Sequence, residues 1–136
     1  NEFNSLGSID FVGGNISLSN NTFNTFNGLN GLKNIEGNLS ILYSEIEILS
    51  GFKSLEIIAK DFKIQAISKL NSVSGFNNLN KIGGDFNLIS NDDLSSLNNF
   101  ESLKIINGNL EFSYNSAQTI LGLTELTSLG GSLIFK

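Results

Sequence analysis

One short phrase returns six times along this chain. A large apolar residue is followed by two more at three-residue steps, then a glycine corner, a polar residue and two apolar residues at alternate positions. The first positions are Leu6, Leu29, Phe52, Phe76, Phe100 and Leu123, so the steps are 23, 23, 24, 24 and 23 residues. A fixed period of roughly 20 to 50 residues marks a solenoid, in which one supersecondary unit stacks on copies of itself. The chain is 136 residues with 40% apolar content, enough to line such a stack.

The second coil serves as template: Leu29-x-x-Leu32-x-x-Ile35-x-Gly37-Asn38-Leu39-x-Ile41, then Ile46-x-x-Leu49-x-Gly51. Leu39 and Ile41 alternate with period two, as do Ile16/Leu18, Phe62/Ile64, Phe86/Leu88, Leu110/Phe112 and Leu133/Phe135. Each pair implies a short strand with one face in the core. A step of 23 residues leaves no room for two helices with their turns, so the strands are expected to stack as a parallel sheet. Five steps of about 4.8 Å make a rod of about 24 Å.

Between the strands lie apolar pairs at three-residue spacing: Phe23/Phe26, Ile46/Leu49, Leu70/Val73, Leu94/Leu97 and Ala117/Ile120. Gly28, Gly51, Gly75, Asn99 or Gly122 follows each pair two residues on, and such punctuation excludes a helix of useful length. These arms read as turns or bridges, giving a coil with three sides. Gly14, Gly37, Gly84, Gly108 and Gly131 precede the strands, where a corner is expected to need positive φ. Asn99 is expected to adopt the left-handed conformation at the other corner. Lys60 stands where the other coils carry glycine, so either the third coil turns differently or a lysine holds a strained backbone.

Leu79-Asn-Lys-Ile82-Gly-Gly84-Asp85-Phe86-Asn-Leu88-Ile-Ser-Asn91-Asp-Asp-Leu94-Ser-Ser-Leu97 resembles the receptor L-domain repeat, and so does Leu32-Lys-Asn-Ile35-Glu-Gly37-Asn38-Leu39-Ser-Ile41. The resemblance extends from Leu6 to Phe135 and implies an all-β, right-handed, single-stranded parallel β-helix of six coils, related to leucine-rich repeats. An ordinary leucine-rich repeat lacks the Gly-Asn that precedes Leu39 here, which favours the L-domain form. Receptor ectodomain versions carry disulfides and capping helices. This chain has no Cys and shows no helical segment, so hormone binding is not carried over.

Composition narrows the functions. The net charge of -5 and eight scattered lysines, with no arginine, argue against nucleic acid and against an anionic membrane surface. No apolar run approaches the roughly 18 residues of a membrane-spanning helix. With no His and no Cys, nucleophilic triads of the Ser/His or Cys/His type are excluded. Ser50-Gly51-Phe52-Lys53 matches a serine–lysine pattern, but Gly51 and Phe52 are repeat positions. Asp61 and Asp85 hold equivalent places beside Asn38 and Asn109, and could offer oxygen ligands to Ca²⁺; a solvated polar corner explains them more simply. No cofactor is expected.

Asn21, Asn91 and Asn115 share a position past the strand, with Asp92-Asp93 beside Asn91, and suggest a stacked asparagine ladder interrupted by Ser44 and Ile67. The threonines at 22, 25, 119, 124 and 127 form no column on the strand face, as ice binding would require. The sequons at Asn15, Asn20 and Asn38 are no more than Asn and Ser abundance supplies. Tyr43 and Tyr114 occupy equivalent places just past the strand, too far apart for a continuous sugar-stacking ladder.

The outward strand positions form two columns: Ser17, Ser40, Lys63, Asn87, Glu111, Ile134, and Ser19, Leu42, Gln65, Ile89, Ser113, Lys136. Ser40, Lys63, Gln65, Asn87, Ile89 and Glu111 are the candidate binding residues. The expected function is a non-catalytic recognition or adhesion module, extracellular or at a cell surface, holding a protein or glycan. The alternative is a structural rod that associates head to tail, because Leu133-Ile134-Phe135-Lys136 closes on a strand without a polar cap. Ice binding and polysaccharide cleavage rank below both. Residues 1–136 are expected to form one solenoid domain, and Asn1-Glu2-Phe3-Asn4, lacking Met or a signal segment, reads as the start of a piece of a larger repeat or surface protein.

Overall fold

The computed structural model describes residues 1–116 and 119–136; Ala117, one of the apolar arm residues, lies outside the described residues. Its regular structure is entirely strand, and no helix is long and apolar enough to cross a membrane among the described residues. Ile16–Ser19, Leu39–Leu42, Phe62–Gln65, Phe86–Ile89, Leu110–Ser113 and Leu133–Phe135 form one six-stranded parallel sheet in chain order. Equivalent residues face each other throughout: Leu39 pairs with Phe62, Phe62 with Phe86, Phe86 with Leu110. The repeat length therefore sets the register, and a one-residue slip would turn every core side chain to solvent.

The arms are strands too, but only two residues long. Phe11–Val12, Asn34–Ile35, Ile57–Ile58, Lys81–Ile82, Ile105–Ile106 and Ser128–Leu129 stack into a second six-stranded parallel sheet. On the third side, Glu2–Phe3, Thr25–Phe26, Ile48–Leu49 and Ser72–Val73 form one ladder, and Ser96–Leu97 pairs separately with Thr119–Ile120. The three-sided coil thus holds, with bridging pairs where the sequence shows one inward residue per arm. Each first position closes a turn: Leu55 N–H donates to Phe52 O at 3.0 Å, Leu79 N–H to Phe76 O at 3.0 Å and Leu103 N–H to Phe100 O at 3.0 Å.

The inward residues meet along the axis. Phe26, Phe52, Phe76 and Phe100 are fully buried and stack face to face at 5.2 to 5.3 Å between ring centroids, with Phe3 continuing the column at 5.3 Å from Phe26. Phe62 and Phe86 stack at 5.0 Å beside them. Such offset aromatic contacts add about 0.5–1.5 kcal/mol per pair beyond area burial. Toward the first and last coils this core thins, and Ile16, Leu18, Leu126 and Leu129 are only partly buried.

The pre-strand glycines are needed for a different reason from the one expected. None of Gly14, Gly37, Gly84, Gly108 or Gly131 has positive φ; among glycines only Gly75 does, at 96°. At Gly37, Gly84, Gly108 and Gly131 the coil below crowds a side chain, whereas Gly14 has open space: a methyl group at Gly37 would lie 2.5 Å from the Gly14 carbonyl, and one at Gly84 or Gly108 would collide with the carboxylate of Asp61 or Asp85. Asn99 does take the left-handed conformation, at φ 72°.

Lys60 is accommodated without strain or a different turn: the third coil keeps the strand–bend–strand pattern of its neighbours, and the expected demand for positive φ at this corner is absent. Gly37, Gly84, Gly108 and Gly131 each donate N–H to the equivalent residue one coil below, at 2.8 to 3.0 Å. Lys60 makes no such bond among the described residues and stays out of the left-handed region. The left-handed corners lie instead just past the long strands, at Asn20 (φ 55°), Tyr43 (49°), Ala66 (55°), Ser90 (56°) and Tyr114 (56°). None is glycine, although this conformation costs an L-residue about 1–2 kcal/mol.

Candidate functional site

Two side-chain ladders hold the long-strand sheet rigid at its two edges. Before the strand, Asn15 Oδ1 accepts from Asn38 N–H at 2.7 Å, Asn38 Oδ1 from Asp61 N–H at 3.0 Å, and Asp61 Oδ1 from Asp85 N–H at 2.8 Å. The series continues with Asp85 Oδ1 accepting from Asn109 N–H at 2.6 Å and Asn109 Oδ1 from Ser132 N–H at 2.8 Å. Any short side chain with an acceptor oxygen serves this position, which is why Asn and Asp interchange there. Asp61 and Asp85 are therefore engaged with backbone amides, and no cluster of three acidic, His or Cys groups stands ready to hold a metal among the described residues.

Past the strand, Asn91 is fully buried: its amide donates to Ile64 O at 3.2 Å and Asn115 Oδ1 at 3.1 Å, while its Oδ1 accepts from Ile67 N–H at 3.2 Å. Asn115 repeats the reach one coil on, donating to Leu88 O at 2.8 Å. Ser44 does not interrupt this ladder, contrary to the sequence reading. Its hydroxyl accepts from Asn21 N–H at 3.2 Å, the equivalent partner one coil below, and donates to Leu42 O of its own coil at 2.9 Å, with Leu18 O farther off at 3.4 Å. Ile67 alone is apolar there and fully buried. Asp92 and Asp93 are exposed, apart from Asn91.

Between the ladders lies the outward sheet face. Ser40, Lys63, Asn87 and Glu111 face one another in register, and Leu42, Gln65, Ile89 and Ser113 form the adjoining column, so the six candidate residues fall on one continuous patch. All six are half-buried by their neighbours. Glu111 is held in place: Ser113 Oγ donates to its carboxylate at 2.7 Å and Lys136 Nζ lies 3.6 Å away. Lys63 makes no salt bridge among the described residues, where the ion pairs are Lys69–Glu45 and Lys136–Glu111. The face thus carries a cation, an amide and an anion on three successive coils.

The receptor L-domain family model matches residues 60–134, more than half of the chain. The chain belongs to the receptor L-domain family. No curated protein and no solved structure matches it. Receptor L domains are ligand-binding rather than catalytic modules, and they are typical of receptor ectodomains. The matched span of this L domain contains Lys63, Gln65, Asn87, Ile89 and Glu111, while Ser40 lies one coil earlier.

The L domain's remaining candidate groups have structural partners or stand alone. Ser50 Oγ donates to Phe26 O at 3.3 Å, and Lys53 is exposed, so the serine–lysine pattern assembles no catalytic pair. Tyr43 and Tyr114 are 56% and 65% exposed at left-handed corners, a feature the sequence did not reveal. The repeat shows glycine elsewhere, and nothing in Asn20, Tyr43, Ala66, Ser90 and Tyr114 as residue types signals a shared backbone state.

Proposed function

We propose that this L domain is a non-catalytic recognition module, outside the cell or at its surface, that holds a protein partner against its outward long-strand face. The observation that carries this reading is the contrast between the two sides of the same strands. Inward positions are uniformly Leu, Ile or Phe, whereas outward positions Ser40, Lys63, Gln65, Asn87, Ile89 and Glu111 differ from coil to coil. Stacking explains the first set and leaves the second without a structural demand. Ladders at both edges fix the backbone beneath them, so little ordering cost accompanies binding.

Size bounds the affinity. Four residues of strand by five coil steps is about 13 by 24 Å, or about 300 Å² of face, well short of the about 800 Å² per partner of a stable interface. A partner confined to this face binds in the weak, transient class. The test is a microarray of secreted proteins and receptor ectodomains probed with the wild-type domain and with a Lys63→Glu, Glu111→Lys double variant. The expected result is a target bound by the first and lost, by about tenfold or more, from the second. Equal binding by both would remove the face from the account.

A further inference from the structure

We propose that Tyr43 and Tyr114 frame a second binding site, for a linear, uncharged oligosaccharide laid along the solenoid axis over Ala66 and Ser90. The four residues are one row. Their predecessors Leu42, Gln65, Ile89 and Ser113 pair in register, and Tyr43, Ala66 and Ser90 each donate N–H to the strand end of the next coil at 2.9 to 3.1 Å. The two tyrosines therefore stand three coil steps apart along the row, about 14 Å, with Ala66 and Ser90 between them. The row is thus a short stretch of small side chains with an exposed tyrosine at each end, and not the continuous ladder that would need a ring on every coil.

Three observations point to this ligand chemistry. The first is exposure: 56% and 65% for two large rings, at corners where tyrosine is held in the left-handed conformation. Nothing in the packing calls for an aromatic residue there, since Ala66 and Ser90 fill equivalent corners. The second is charge. The row itself, the strand column before it and the buried ladder row after it contain no ionisable carboxylate or ammonium across these four coils. Charged groups resume one position further, at Glu45 and Asp92, and on the other side in the next outward column, at Lys63 and Glu111.

The third is the state of the backbone. The N–H groups of the row are all committed to the neighbouring coil, so no free strand edge is available to pair with an extended peptide. Recognition is left to aromatic faces and to neutral polar groups such as the Ser90 hydroxyl, the chemistry that suits the C–H faces and hydroxyls of an uncharged sugar. The fully buried Asn91, bonded to Ile64, Ile67 and Asn115, pins the row from beneath. The site lies beside the sheet face and does not depend on its binding a protein.

The chain has two Tyr and no Trp, so its tyrosine fluorescence comes from this site alone. Cellotetraose, laminaritetraose and chitotetraose are titrated into the intact domain. A saturable change is expected with at least one, and calorimetric affinity for it falls about tenfold or more in Tyr43→Gly and in Tyr114→Gly. Glycine accepts positive φ, so both variants are expected to keep or raise the melting temperature. Tyr43→Ser, which copies the residue already present at the Ser90 corner, is expected to lose affinity equally. No response to any of the three sugars, undiminished affinity in the variants, or quenching by an unglycosylated protein ligand alone would overturn the proposal. None of these results bears on the protein array, so the two sites fail separately.

Discussion

Phe76→Ala is expected to lower the stability of the domain by about 3–5 kcal/mol, about a fifth or more of the about 5–15 kcal/mol that holds a typical domain together. Phe76 is fully buried midway along the solenoid, stacked on Phe52 at 5.2 Å and on Phe100 at 5.3 Å, with Phe62 tilted against it at 5.0 Å. Coils touch only their neighbours, so a void here cannot be filled from elsewhere and weakens both adjoining interfaces at once. Urea denaturation read by circular dichroism measures the loss. Phe3→Ala, at the partly exposed end of the same ring column, is expected to cost clearly less. Equal costs at the two positions would mean that the stack does not transmit stability along the axis.

The second large effect is expected at Asn91. Asn91→Asp keeps the shape but replaces the donor that faces Ile64 O and Asn115 Oδ1 with an acceptor, in a fully buried position. An uncompensated buried charge costs about 3–5 kcal/mol. Burial without a cation raises the folded-state pKa of the introduced carboxyl above its unfolded value of about 3.9. The variant is therefore least impaired below about pH 4, and stability is lost as pH rises through the folded pKa. Asn91→Ile, which copies Ile67 one coil below, is expected to cost less and to show no such pH dependence. Chemical denaturation of both variants across pH decides this, and a pH-independent loss in Asn91→Asp would contradict the ladder geometry.

The sequence disclosed the parts of this molecule that repeat with a side chain attached. Leu39 and Ile41 alternate strictly, so the long strands and their register could be read directly, and with them the columns through Lys63, Asn87 and Glu111. The arms were less legible as strands because each offers one inward residue, such as Ile35 or Leu49, and a single residue shows no period. Phe52, Phe76 and Phe100 recur at fixed spacing, but the ring column continues through Phe26, which sits at an arm position rather than a first position, and only packing joins them.

Backbone conformation was the least legible level. Gly84 recurs because Asp61 of the coil below occupies the space its side chain would fill, and a list of glycines cannot distinguish that from a demand for positive φ. The true left-handed corners at Tyr43, Ala66 and Ser90 share no residue type, so the row that frames the proposed oligosaccharide site left no trace in composition. Ser44 conceals its role for a related reason. Its hydroxyl is shorter than an asparagine amide, yet it reaches the Asn21 N–H because the coils stack so closely.

The division between stacking residues and outward residues is tested most directly by measuring melting and target binding together on one preparation of the Lys63→Glu, Glu111→Lys variant. The expected result is a melting temperature lowered by no more than about a few degrees, the share of the Ser113 and Lys136 contacts that Glu111 loses, with the array target lost. A variant that melts lower than this while still holding the target would place these outward residues in the service of the fold and contradict their role in recognition.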